Sequence, residues 1–199
     1  VGDAMDIMVD LNQGWRMAGD TSPSIDLDTA RGICARLAEL GVLWVEEPLD
    51  GTDLEGLAAL RAEGLGTHIA GGEMTRTHHE ALRALDADAF DVYQEDVVLA
   101  AGMLRNRTLA ERVLAKGRWF TPHTWTNGLG LLAKLHVAAG VGGGPYLEYP
   151  YDPPGWTPER RDAMLVEPIR PGRDGILRVP ATPGLGITLD DAAIARYAA

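Results

Sequence analysis

Trp44-Val45-Glu46-Glu47-Pro48 closes an apolar run that begins at Gly41, and its paired acids end what reads as a buried strand. Side chains alternate along a strand, so Glu46 and Glu47 face opposite ways and at most one points where Trp44 points. A carboxylate at the end of a buried strand is costly unless something compensates it, and a cation would do so. The same ending recurs twice: Asp10 closes Ile7-Met8-Val9, and Glu73 follows His68-Ile69-Ala70-Gly71-Gly72. Three carboxylates at three strand ends suit a hard, oxygen-seeking ion such as Mg²⁺.

Outward from that stretch, strand and helix alternate along the chain. Ser24 to Leu40 reads as a helix, with Ala30, Ile33, Cys34 and Leu37 at helical spacing and Gly41 as its stop. Further helices are expected over Asp53–Ala62, His78–Leu85, Gly102–Lys116 and Gly128–Ala139. Strands are expected over Ala89–Asp96, Arg118–His123 and Tyr146–Tyr149, and a short helix at Asp190–Tyr197. The polar residues closing the strands are Asp10, Glu46, Glu73, Asp96, His123 and Glu148, separated by 36, 27, 23, 27 and 25 residues. One βα unit per step is the rhythm of a (β/α) barrel, whose strand C-termini gather at one catalytic face. A doubly wound sheet has a similar rhythm but usually carries a glycine-rich phosphate turn after its first strand, and none is seen. A lone strand-end acid or histidine is more often a solvated cap; six at this interval read as a site. Glu47 and Glu95 fall on the opposite strand face and read as structural or as supports for the site residues.

Composition narrows the function. A formal charge of −11 argues against nucleic acid and against an anionic membrane surface. The apolar runs are too short and too interrupted to span a bilayer. Cys34 is the single cysteine, which rules out an internal disulfide and fits a reducing, cytoplasmic compartment. The opening Val1-Gly2-Asp3-Ala4 has neither a basic region nor a long apolar stretch.

Five motifs in register carry a resemblance. Val9-Asp10-Leu11-Asn12-Gln13, Trp44-Val45-Glu46-Glu47-Pro48, Gly71-Gly72-Glu73, Asp96 with Ala101-Gly102, and Thr121-Pro122-His123-Thr124-Trp125 come in the order of the enolase superfamily. The set resembles most its mandelate racemase subgroup, which includes many acid-sugar dehydratases. Pro183-Gly184-Leu185-Gly186-Ile187 resembles that family's C-terminal signature. The resemblance implies a (β/α)7β TIM-like barrel. Its first two strands, a Lys-x-Lys motif and an N-terminal capping domain are expected to lie outside this chain. Residues 1–150 then form a partial barrel carrying the catalytic face. Residues 151–199 form a tail packing on the barrel or on the capping domain.

The resemblance also implies roles. Asp10, Glu46 and Glu73 become Mg²⁺ ligands, Asp96 and His123 an Asp–His dyad, and Glu148 the acid after the last barrel strand. Asn12, Trp15 and Trp125 are expected to contact substrate. Glu73 and His123 point away from the muconate-lactonizing branch, where Asp and a lysine stand instead. Asn12 disfavours the dehydratases that carry a histidine there. The implied chemistry is abstraction of the proton α to a carboxylate through an ene-diolate, with the divalent ion as Lewis acid. The implied reaction is dehydration of a sugar acid to a 2-keto-3-deoxy acid. The alternatives are a racemase or epimerase of an α-hydroxy acid, or a non-catalytic barrel fragment. The partner is a small carboxylate, with a homo-oligomer expected for the full-length protein.

Overall fold

The computed structural model describes residues 2–197. Its centre is a five-stranded, all-parallel sheet in the order β1 (Ile7–Asp10), β2 (Val42–Glu46), β3 (His68–Gly71), β4 (Val92–Tyr93) and β5 (Trp119–Phe120). Sequential neighbours pair with no reversal of order, which separates a barrel arc from a doubly wound sheet, where the order reverses at a switch point. The connecting helices are α1 (Leu27–Glu39), α2 (Leu54–Ala62), α3 (His78–Asp86), α4 (Gly102–Ala115) and α5 (Gly128–Val141). Two short helices follow in the tail, α6 (Pro158–Arg161) and α7 (Asp191–Tyr197); sequence reasoning missed α6.

Local chemistry sets the helix starts. Asp26 accepts from the Thr29 amide ahead of α1, Asp53 from Gly56 ahead of α2, and Asn127 from Leu129 and Gly130 ahead of α5. Thr77 and Glu80 form a reciprocal capping box at α3. The sheet separates two apolar layers. Its outer face packs Val45, Ile69, Tyr93 and Phe120 against Cys34, Leu57, Leu85 and Leu109 of the helices. On the concave face Trp44, Ala70 and Val92 form a smaller cluster with Met8 and Trp119. At the N-terminal end of the sheet Arg61 and Arg118 both bind Asp88 and Asp91.

Two strand expectations need correction. β4 and β5 are far shorter than their apolar runs. Trp119 and Thr121 donate to the Asp91 and Tyr93 carbonyls at 2.9 Å each, but His123 donates to Gln94 at 3.1 Å, one residue short of the regular register. That slip ends the ladder just before the polar residues. The second is Tyr146–Tyr149, which is not a strand. Gly144 donates to Phe120 at 2.8 Å, after which the chain leaves β5 and places the Tyr146 ring 6.3 Å from Trp44 across the concave face. Packing of Tyr146 on Trp44 and its hydroxyl bond to Asp6 win over further pairing. The tail packs back on α5, where Asp162 and Leu165 crowd Gly128 and the Leu185 carbonyl meets His136.

Candidate active site

Every residue singled out from the sequence except Asp96 lines one cleft of about 560 Å³ at the C-terminal end of the sheet: Asp10, Asn12, Trp15, Glu46, Glu73, His123, Trp125 and Glu148, with Met74 beside them. Asp96 lies directly beneath, fully buried.

The backbone explains how each side chain arrives. Asp10 ends β1, and its Oδ1 accepts the Asn12 amide at 2.8 Å, with Asn12 in the left-handed region at φ 51°. The loop is stitched to β2 by the Leu11 amide on Glu46 O and the Gln13 amide on Glu47 O, both at 3.0 Å. Glu46 faces the cleft. Glu47, at φ 45°, is buried on the other side against Gly14, as strand alternation predicts. Beyond β3, Gly72 takes φ 110°, which turns the chain so that Glu73 enters the cleft. The Thr124 amide, beyond β5, donates to Glu148 Oε2.

His123 Nδ1 stands 3.0 Å from Asp96 Oδ2, and its Nε2 stands 3.4 Å from Glu73 Oε2. The Asp96 Oδ1 atom accepts the Val98 and Leu99 amides at 2.7 and 2.9 Å. The same Oδ2 also accepts from Lys134 Nζ at 2.8 Å. Lys134 was missed from sequence. Its signal was visible as a single lysine in the mostly apolar helix Gly128–Val141.

Electrostatics follow from burial and crowding. Desolvation, with smaller contributions from the charges of Asp10, Glu148 and Glu73, pushes Glu46 up to about 8. Desolvation also raises Glu73, against the opposing pull of His123. Asp10 still meets solvent, and partial desolvation raises it against the Asn12 hydrogen bond. Burial alone would raise Asp96, but its bonds to His123 and Lys134 outweigh that and hold it well below the usual carboxylate range. Burial likewise opposes charge on His123, and is outweighed by Asp96, Glu148 and Glu73, so its net shift is upward.

Asp10, Glu46 and Glu73 share the cleft and the same end of the sheet, but they do not close into a ligating cluster. Among the described residues no three His, Cys, Asp or Glu side chains stand close enough to enclose an ion. Asp10 and Glu73 have partners of their own instead, the Asn12 amide and His123. Like charge at low dielectric favours that spacing. The donor set nevertheless fits a hard divalent cation. It is all oxygen, comes from three adjacent strand ends, and is raised by burial in a way that bound positive charge would reverse.

Two tryptophans form the walls. Trp125 is half exposed and stacks on Trp156 with centroids 6.5 Å apart and planes at 18°. Trp15 keeps its buried indole N–H without a partner.

Comparison with known proteins supports the fold. The family described as "Enolase C-terminal domain-like" matches residues 1–193. D-galactarolactone cycloisomerase of Agrobacterium fabrum is 28% identical over 201 residues, covering 99% of this chain and 50% of that protein. Arabinonate dehydratase of Saccharolobus solfataricus is 31% identical over 182 residues, covering 92% of this chain and 47% of that protein. The crystal structure of L-talarate dehydratase from Polaromonas sp. JS666, complexed with Mg and L-glucarate, superposes with a TM-score of 0.79 at 31% identity, over 98% of this chain and 48% of that one. The chain thus spans about half the length of the curated relatives it matches.

Proposed function

Because this chain belongs to the Enolase C-terminal domain-like family, we propose that it carries the acid–base half of a Mg²⁺-dependent enzyme that dehydrates a sugar acid to a 2-keto-3-deoxy acid. Its relatives include acid-sugar dehydratases and cycloisomerases. The observation that carries the proposal is the His123–Asp96 pair, set at 3.0 Å beneath the cleft that Asp10, Glu46 and Glu73 line.

Asp10, Glu46 and Glu73 would hold the ion, and when bound Mg²⁺ supplies a Lewis acid that stabilises negative charge on a substrate carboxylate. The rest falls to this chain's own groups. Asp96 accepts a hydrogen bond from the Nδ1–H of His123, which leaves Nε2 as the acceptor on the cleft side. The α-carbon's proton passes to Nε2, and the histidine returns it to the departing β-hydroxyl, which leaves as water. The remaining enol tautomerises to the 2-keto-3-deoxy acid, so substrate equals product plus water. Glu148 would donate a hydrogen bond to the substrate carboxylate. Trp15 and Trp125 offer flat apolar faces to the carbon chain and exclude water from it.

The test incubates the purified protein with Mg²⁺ and a library of acid sugars, with detection of 2-keto products and His123→Asn as control. Product that needs both Mg²⁺ and His123 supports the reading. Inversion at the α-carbon without 2-keto product would replace dehydration by racemisation. Inactivity across the library with no Mg²⁺ binding would leave a non-catalytic barrel segment.

A further inference from the structure

Helix α5 runs Gly-Leu-Gly-Leu-Leu-Ala-Lys-Leu-His-Val-Ala-Ala-Gly-Val and is buried over most of its first ten residues. A lysine in such a helix normally snorkels to water. Lys134 does not: it is 0% exposed and points inward. An ammonium without water must be paired with an opposite charge. Its partner is Asp96 Oδ2 at 2.8 Å, 38 residues away and also 0% exposed.

A carboxylate offers about four acceptor sites. Here four donors take them: the Val98 and Leu99 amides on Oδ1, and His123 Nδ1 with Lys134 Nζ on Oδ2. Asp96 therefore cannot rotate without breaking several bonds at once. The backbone amides fix one oxygen, and Lys134 fixes the other. The charge of Lys134 also balances Asp96 in a dry environment, where an unbalanced carboxylate would take up a proton. A protonated Asp96 could donate to His123 instead of accepting, which would favour the wrong ring tautomer. Lys134 does not line the cleft, so it acts through Asp96 and not on substrate.

We infer that Lys134 is a positioning residue, holding Asp96 ionised and oriented so that it accepts from His123 Nδ1 and leaves Nε2 free toward the cleft. The inference rests on the Asp96–His123 role proposed above and deepens it.

The test uses the Mg²⁺-loaded protein with Lys134→Gln, Lys134→Arg and Asp96→Asn, each checked by its melting curve. Ring ¹⁵N–¹H spectra read the His123 tautomer, and turnover is measured on the acid found in the library. Lys134→Gln should lose the His123 Nδ1–H signal and lower kcat about 10–100-fold, the range for outer-shell partners, with KM and Mg²⁺ affinity nearly unchanged. Lys134→Arg, which keeps charge and donors, should restore the signal. Lys134→Gln with wild-type signal and kcat, beside an Asp96→Asn that loses both, would overturn the role of Lys134 alone. If Asp96→Asn also changes neither, the Asp96–His123 reading falls and takes this inference with it. Should Lys134→Gln not fold, the side-chain ammonium signal of Lys134 in the unaltered protein decides. A charged, slowly exchanging ammonium that shifts in Asp96→Asn is expected, and one indifferent to Asp96 overturns the inference.

Discussion

Single side chains at this site are governed by how much water they lose. Glu95 is fully buried, neither carboxyl oxygen has a partner, and desolvation pushes it up to about 8. Its folded form is thus neutral at pH values where the unfolded chain ionises. Below about 4.5 both states are protonated and Glu95 contributes nothing. From there to about 8 the unfolded state alone loses the proton, so stability falls as pH rises. Glu95→Gln should remove a few kcal/mol of that loss. Urea unfolding of both proteins across this window checks it, and identical slopes would show that Glu95 is solvated. A second prediction concerns Gly72, whose φ of 110° turns Glu73 inward and whose added Cβ would lie 3.2 Å from Glu95 Oε1. Gly72→Ala should cost about 1–3 kcal/mol and weaken Mg²⁺ binding through Glu73. Calorimetric Mg²⁺ titration together with urea melts measures both, and an unchanged variant would mean the turn is not strained.

At the scale of elements, helix termini place the loops that carry the acids. The capping box of α3 joins Thr77 and Glu80, and the Glu80 carboxylate also accepts the Arg76 amide at 2.9 Å. This box anchors the loop that descends from Glu73. Thr77→Ala should therefore cost about 1 kcal/mol by urea denaturation, with Mg²⁺ affinity falling less than in Gly72→Ala. A loss of affinity without loss of stability would place Thr77 in the site itself. The strand ends show a different control. β5 stays in register through Thr121, then slips by one residue at His123, and the dyad stands at the slip. Irregular pairing here re-aims side chains, as bulges commonly do beside active sites.

The whole molecule is an arc in which β1 and β5 each have one sheet neighbour among the described residues. Exposed strand edges invite pairing with another chain. The 199-residue chain on its own is expected to associate, and light scattering after size exclusion reads the outcome; a stable monomer would show that the edges are covered. Three carboxylates from adjacent strands should also link metal binding to global stability. Mg²⁺ at about a hundred times its dissociation constant should add about 2.7 kcal/mol, a rise in melting temperature that Glu46→Gln abolishes. No rise in the unaltered protein would remove the metal from the proposal without touching the fold.

Alternation of strand and helix was legible because it is a local property. Apolar runs, Asp and Thr caps and glycine stops lie within a few residues of the elements they define, and α1 to α5 appear where those signals fall. The acids and His123 at the strand ends were legible for the same reason, since parallel βα units carry every strand terminus to one end of the sheet. Tyr146–Tyr149 was misread because alternation shows which face a residue takes, not whether a neighbour pairs with it; Trp44 and Asp6 decided that. Lys134 could be seen as an anomaly but not explained, because its partner lies 38 residues away and only tertiary packing brings them together. Local propensity thus determined the elements and the end of the sheet where the chemistry gathers. Tertiary structure alone decided which oxygen of Asp96 meets which donor and how far apart the three acids stand, because those follow from burial and long-range contact, which no short stretch of sequence contains.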